Sequence, residues 1–281
     1  MPDDEPIVGD HCQAPDVLCI YPEAGFSPTI DLVESDILPD EYRDEARELA
    51  EYWKPFGLQD KCTPYYTQEE LDLSAPFGIV ETPAFMTNFT SALPPYMTVL
   101  EDGLEKRIKG GEEQIEKAFG QLRAYPWNGE KNLPLLDKVD VWRAMIIAGK
   151  AVIKWARRYS RLEKIAAENF VDDAQRRKEI LEISDICWRI PAEPARGFRD
   201  AMQSKWFCFE ICHSIERVSS GYGHLEDRLM WPCYKTSVID RTFQPMTREE
   251  AVELVECERL KVSERGIAKG RMMRRGHLRI E

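Results

Sequence analysis

From about Thr98 onward apolar residues recur at three- and four-residue intervals, and that spacing commits most of the chain to amphipathic helices. One helical stretch runs from about Thr98 to Tyr125, where the adjacent Gly110 and Gly111 predict a weak or bent turn. A second runs from about Val139 to Asn169, with Trp142, Met145, Ile146, Val152, Ile153, Trp155 and Ala156 along its apolar face. A third spans about Asp172 to Trp188. Pro191 and Pro194 then break the chain, and Pro194 suits the first turn of a helix from Ala195 to about Val218. The last helix opens at Thr247, because Glu250 three residues on gives the spacing of a capping box. Ala251, Val252, Leu254, Val255 and Leu260 supply its buried side. Earlier in the chain, Pro39-Asp40 opens a shorter helix through about Trp53, closed by Pro55.

What precedes and separates these helices is irregular. Residues 1 to about 40 are rich in proline, aspartate and glycine, and read as loops with a few short strands. Between Lys61 and Tyr96 the chain places Tyr65, Tyr66, Phe77, Phe85 and Phe89 among prolines, as aromatics that pack in the core or shape a pocket. Packing is the favoured reading. A chain of 281 residues can bury a sizeable core, as one large domain or two small ones. No repeat, low-complexity linker or clear domain boundary divides it.

Charge and targeting narrow the function classes. No run of about 18 apolar residues is present, so no membrane span is expected. The acidic start Met1-Pro2-Asp3-Asp4-Glu5 lacks the basic and apolar regions of a signal peptide, which predicts a cytoplasmic protein. A net charge of -12 argues against nucleic-acid binding by the chain as a whole. The exception is the tail, where Arg265, Lys269, Arg271, Arg274, Arg275 and Arg279 face one acid, Glu281. A solvated end is favoured there over a phosphate-seeking one, and a truncation or frame error would also produce such text. The eight cysteines show no repeated pairing pattern, so free thiols are the default.

The side chains offer little classical catalytic chemistry. Cys208, Cys212 and His213 fall within about one helical turn, yet a structural zinc needs four converging ligands and no second pair stands at a suitable spacing. Trp206, Phe207, Phe209 and Ile211 around them favour core packing, with cysteine as a small apolar residue. Ser220-Gly221-Tyr222-Gly223-His224 forms a glycine-bearing turn, without the lysine or the glycine spacing of a phosphate loop. His224 beside Glu226 and Asp227 is an acid–base pair on paper, and an exposed solvated turn is the favoured alternative. With four histidines (His11, His213, His224, His277) and no serine in an elbow motif, no nucleophilic triad assembles.

A longer pattern carries more. Arg189-Ile190-Pro191-Ala192-Glu193-Pro194-Ala195-Arg196-Gly197-Phe198-Arg199-Asp200-Ala201-Met202-Gln203, continued by Ser204-Lys205-Trp206-Phe207, resembles the signature of the pyruvate formate-lyase-like domain of glycyl radical enzymes. Asp227-Arg228-Leu229-Met230-Trp231-Pro232-Cys233-Tyr234 is similar to the family segment that follows, and Glu249-Glu250-Ala251-Val252-Glu253-Leu254 to its next helix. Upstream, Arg157-Arg158-Tyr159, Arg177-Lys178-Glu179-Ile180-Leu181 and Glu5-Pro6-Ile7-Val8-Gly9 fit as well. Within the family, Tyr52-Trp53-Lys54-Pro55-Phe56, Pro94-Pro95-Tyr96, Ser220-Gly221-Tyr222 and above all Ser237-Val238-Ile239-Asp240-Arg241-Thr242-Phe243-Gln244-Pro245-Met246 resemble the alpha subunit of benzylsuccinate synthase and its alkylsuccinate relatives. Ser91-Ala92 stands where other members carry a Gly-His pair.

The resemblance implies a mainly helical fold with a few short strands, the N-terminal helical portion of an α/β barrel enzyme, cut short. It places a partial pyruvate formate-lyase-like domain over residues 1–269 and a divergent basic tail over 270–281. It also implies radical addition of a hydrocarbon to fumarate, with Phe89 lining the hydrocarbon pocket and packing in a loop as the alternative for that side chain. The thiyl cysteine and the radical glycine are expected beyond the matched segment, so this chain alone is expected to be inactive and to hold no cofactor directly. The parent's glycyl radical would be installed by a radical S-adenosylmethionine activase, and small accessory subunits would be possible partners. Arg217-Val218-Ser219-Ser220-Gly221-Tyr222 resembles the radical loop but has one residue too many. Two alternatives stay open: another glycyl radical reaction (an arylacetate decarboxylase, a diol-type eliminase or a formate-lyase), or a non-catalytic helical protein that binds a partner.

Overall fold

The computed structural model describes residues 40–53, 55, 63–65, 67–69, 94–124, 127–212 and 226–277, with side chains of the last helix described as far as Val262. Seven α-helices stand among the described residues: α1 Asp40–Trp53, α2 Tyr96–Ala124, α3 Gly129–Asn169, α4 Ala174–Arg189, α5 Phe198–Glu210, α6 Glu226–Tyr234 and α7 Arg248–His277. A π-helical turn, Lys235–Ile239, follows α6. No strand occurs among the described residues, and the short strands expected before residue 40 lie outside them. No helix among them is long and apolar enough to cross a membrane.

Helices α2, α3 and α4 pack side by side with α3 in the middle. The α3 helix starts ten residues before the expected Val139, because the Asn128 side chain caps it by accepting from the Lys131 backbone N–H at 3.3 Å. Pro134 sits in its second turn and removes one backbone hydrogen bond without ending the helix. Gly111 of α2 lies against Ile146 of α3, and Gly149 of α3 lies against Ile108 of α2. These glycines let two long helices approach closely. The bend expected at Gly110-Gly111 is absent, since both residues lie inside continuous helix; the break in α2 falls at Gly103. On the other side, Ser184 Oγ donates to the Ser160 carbonyl at 2.7 Å in the buried seam between α3 and α4. Ile153 and Ala156 are buried as expected, but Met145 is 61% exposed, because it lies to one side of the face that meets α2 and α4.

The core centres on α5. Its residues Ala201, Met202, Trp206 and Phe209 pack with Tyr96 and Leu100 of α2, Leu229 and Met230 of α6, and Ala251 and Leu254 of α7. On the opposite side Phe207 meets Ala156, Ile183 and Cys187, with Trp155 edge-on at a centroid distance of 5.1 Å. A helix covered on every side belongs in the interior, and α5 is covered in that way. It begins at Phe198 after Gly197, three residues later than expected, and Pro194 lies in the preceding loop, outside its first turn.

The capping box of α7 is present. The Thr247 backbone N–H donates to Glu250 Oε2 at 2.6 Å, and the Glu250 N–H donates to Thr247 Oγ1 at 3.1 Å. Thr247→Ala is expected to cost about 1 kcal/mol in a denaturant titration; an unchanged midpoint would show that the cap does nothing for stability. The buried side of α7 differs from the expectation. Ala251 and Leu254 are buried, whereas Val252 is 47% and Leu260 65% exposed. Glu258 and Lys261 are buried in their place.

Candidate functional site

The signature segment folds around one carboxylate. Asp200, in the first turn of α5, is fully buried and receives four donors. Both Arg189 terminal nitrogens donate to it at 3.0 Å, a two-pronged pairing that fits the planar guanidinium to the carboxylate. The Arg196 backbone N–H donates at 3.3 Å and Gln244 Nε2 at 2.9 Å. Capture of the Arg196 N–H explains why the helix starts late. The carboxylate thereby ties the end of α4, the proline-containing loop, the start of α5 and the segment after the π-turn into one knot. That loop contains a cis Ile190–Pro191 peptide.

Two further contacts close the knot. At Gly103 the backbone takes φ 70°, ψ 162°, and the loop docks onto the break. Leu104 and Glu105 donate their N–H groups to the Pro191 and Ala192 carbonyls at 2.9 and 3.0 Å, and Ala195 donates to the Leu100 carbonyl at 2.8 Å. On the other side, Ser237 Oγ accepts from the Phe198 N–H and donates to the Phe243 carbonyl, each at 2.9 Å. The ten residues Ser237 to Met246 therefore have a packing duty: Ser237, Phe243 and Gln244 seal Gly197 and Asp200, and Met246 joins the core. Sequence reading alone could not supply that reason for the segment.

A second buried polar cluster was not legible from sequence. Lys205, with no side-chain exposure, pairs with Glu226 and stands 3.5 Å from the buried Glu258. Arg259 also pairs with Glu226, and the Lys261 ammonium lies 5.6 Å from the Trp206 ring centre. The available signal was a lysine beside Trp206-Phe207 in a helix buried on every side. Charges this deep persist only when paired, so the cluster fixes α5, α6 and α7 in one arrangement.

The thiols here are kept protonated. Burial, with Cys212 nearby, pushes Cys208 up to about 12, and burial with Asp200 nearby pushes Cys233 up to about 11. Burial, then Glu163, raises Cys187 well above the ordinary thiol value. A thiolate is the reactive form, and burial disfavours it at these cysteines. Among the described residues no three His, Cys, Asp or Glu side chains converge as a metal would require, and Cys208 packs against the core around α5. Iodoacetamide at pH 8 is expected to leave Cys187, Cys208 and Cys233 unmodified in the folded chain and to modify all three in denaturant; labelling at equal rates in both states would refute the burial. The sign of the pH effect follows. The stability contributed by the neutral thiols is complete below the unfolded value of about 8.5 and is lost as pH rises toward their folded values.

Of the residues singled out from the sequence, Phe89 lies outside the described residues, as do Ser91-Ala92, His213 and the Ser220 to His224 turn. Helix α5 leads into residues 213–225, and α6 leads out of them. Nothing in the described geometry is a proton-transfer pair open to a substrate. Its chemistry is that of a rigid support.

This helical layout is that of glycyl radical enzymes: a glycyl radical enzyme from Archaeoglobus fulgidus has the same fold, with a TM-score of 0.68 at 23% identity over 92% of this chain and 32% of that one. The chain belongs to the pyruvate formate lyase-like family, whose description matches residues 2–274. Among its relatives, the isethionate sulfite-lyase of Nitratidesulfovibrio vulgaris is 28% identical over 234 residues, covering 79% of this chain and 26% of that enzyme. The solved structure for 1,2-propanediol dehydration in Roseburia inulinivorans matches with a TM-score of 0.71 and 26% identity, over 93% of this chain and 32% of that one. The chain thus spans about a quarter to a third of the length of these relatives.

Proposed function

We propose that this chain is the N-terminal helical frame of a glycyl radical lyase that eliminates a substituent from a small hydroxylated substrate. The observation that carries the reading is the match to isethionate sulfite-lyase, supported by the match to the structure for 1,2-propanediol dehydration. Isethionate and 1,2-propanediol share one feature: a hydroxyl-bearing carbon next to the carbon that carries a second polar substituent. The diol-type eliminase, one of the alternatives the sequence left open, therefore takes precedence over hydrocarbon addition to fumarate. Two of the three relatives reported above, the isethionate sulfite-lyase and the structure for 1,2-propanediol dehydration, are named for elimination. The ten-residue segment that pointed to the fumarate-adding subtype has its own structural duty around Asp200.

The glycyl radical itself supplies hydrogen-atom abstraction in this family. What the described residues contribute is positioning. The Asp200 knot and the Lys205 cluster hold α5 against α2, α4, α6 and α7, so that the segments on either side of it leave from fixed points. Transfer of this frame into a complete enzyme tests the reading. In a chimera of isethionate sulfite-lyase carrying residues 94–262 in place of its own matching segment, anaerobic activation is expected to give release of sulfite from isethionate. Formation of a succinate adduct from toluene and fumarate, without sulfite, would reinstate the hydrocarbon-adding reading and remove this one.

A further inference from the structure

Across the groove between α2 and α3, the surface charge runs against the chain as a whole. The chain carries a net charge of -12, yet a cavity of about 360 Å³ there is lined by Lys109 of α2 and by Lys150, Lys154, Arg157 and Arg161 of α3. Only two acids line it, Glu105 and Glu112, so it holds an excess of three positive charges. The acids are already engaged: Glu112 pairs with Lys150 at 2.9 Å and Glu105 with Arg157 at 3.2 Å. Lys109, Lys154 and Arg161 have no carboxylate partner among the described residues, and Arg161 lies 6.0 Å from the centre of the Trp188 ring. The four cations of α3 recur at intervals of four, three and four residues, which puts them on one face of the helix. The rise from Lys154 to Arg161 is roughly 10 Å, too far for a single carboxylate or orthophosphate to bridge. Ile108 and Ile153 give the groove an apolar floor, which strengthens charge pairing above it.

We propose that this groove binds linked phosphates, either inorganic polyphosphate or the phosphate chain of a nucleotide. Uncompensated lysines at a concave site in an acidic protein create a local potential that attracts such anions, and Arg161 offers forked donors suited to phosphate oxygens. Arg157 lines the groove beside them, with its Nε donating to the Trp188 carbonyl at 3.3 Å and its Nη2 donating to Glu105 at 3.2 Å. The site adjoins the Asp200 knot through Glu105, which lines the groove and donates its backbone N–H to the Ala192 carbonyl, and it does not depend on which reaction the parent enzyme catalyses.

Calorimetric titration of the 281-residue chain at low salt, with sodium tripolyphosphate and separately with ATP, tests it. One saturable site is expected, weakened at least tenfold in Lys109→Gln/Lys154→Gln and unchanged in Lys178→Gln on α4, with affinity falling as salt is raised. Equal affinity for the two ligands would assign recognition to the phosphates alone, and tighter binding of ATP would assign it to a nucleotide. Absence of saturable binding by either ligand, or equal binding by the parent and the double variant, would overturn the proposal.

Discussion

Asp200→Asn is expected to lower the unfolding free energy of the chain by about 3–5 kcal/mol, the range for removing one partner of a buried ion pair. The asparagine keeps the shape of the side chain but not its charge. Arg189, whose side chain is only 19% exposed, would then face a neutral group, and two of the four donors now directed at the carboxylate would meet an amide N–H, because each oxygen receives two of them. The loss has few routes of relief, because Gln244, Arg196 and Arg189 belong to three different segments that converge on this carboxylate. Guanidinium titration of the two proteins measures it, with the slope unchanged and the midpoint displaced. A difference below about 1 kcal/mol, the level of an ordinary neutral hydrogen bond, would show that the knot is decorative and that core packing alone sets the geometry of the signature segment.

Gly103→Ala is expected to be of similar size, for a different reason. A Cβ at this position would lie 2.4 Å from the Ala192 carbonyl oxygen and 2.6 Å from the Glu193 carbonyl carbon. Both are backbone atoms, with no flexible side chain to swing aside. The conformation is also one that only glycine adopts readily, and strain of this kind costs about 1–3 kcal/mol before any clash is counted. Overpacking adds about 1–3 kcal/mol more. The comparison is Gly110→Ala in the same helix, where nothing lies within 4 Å of the added carbon. That substitution should stabilise the chain by up to about 1 kcal/mol, the helix preference of alanine over glycine. Thermal melts of the two variants should therefore move in opposite directions. Equal shifts would mean that α2 does not break at Gly103.

The contrast between these two glycines shows what could be read from the sequence. Helix propensity marked Gly110-Gly111 as the weak point of α2, because two adjacent glycines are the strongest local signal in the stretch. The actual break is set by a contact with residues 192–194, some ninety positions away, and nothing local announces it. Local signals did well elsewhere. Asp40 and Trp53 bound α1 as expected, and Thr247 with Glu250 gave the start of α7, since caps depend on residues three apart. The periodic pattern also found α3 and α4, although it assigned Met145, Val252 and Leu260 to buried faces that the packing leaves open. Periodicity gives the apolar positions of a helix but not which neighbours cover them.

The family signature was legible because its residues are contiguous. Its purpose was not. Arg189 and Asp200 could be seen in one motif, but their pairing depends on the loop between them, and the third arm from Gln244 comes from a segment that looked like a mark of subtype. Lys205 with Glu226 and Glu258 was hidden for the same reason: the partners are 21 and 53 positions away. Phe89, the one pocket residue inferred by resemblance, stays an expectation, because it falls outside the described residues.

The central claim is that these helices are the working frame of a glycyl radical lyase. The most direct measurement is electron paramagnetic resonance of the isethionate sulfite-lyase chimera after anaerobic activation. The account predicts a glycyl radical signal of the same order as in the unmodified enzyme, and a large loss of that signal when Asp200→Asn is added to the chimera. A folded chimera that carries no radical, or one whose radical content is indifferent to Asp200, would contradict it.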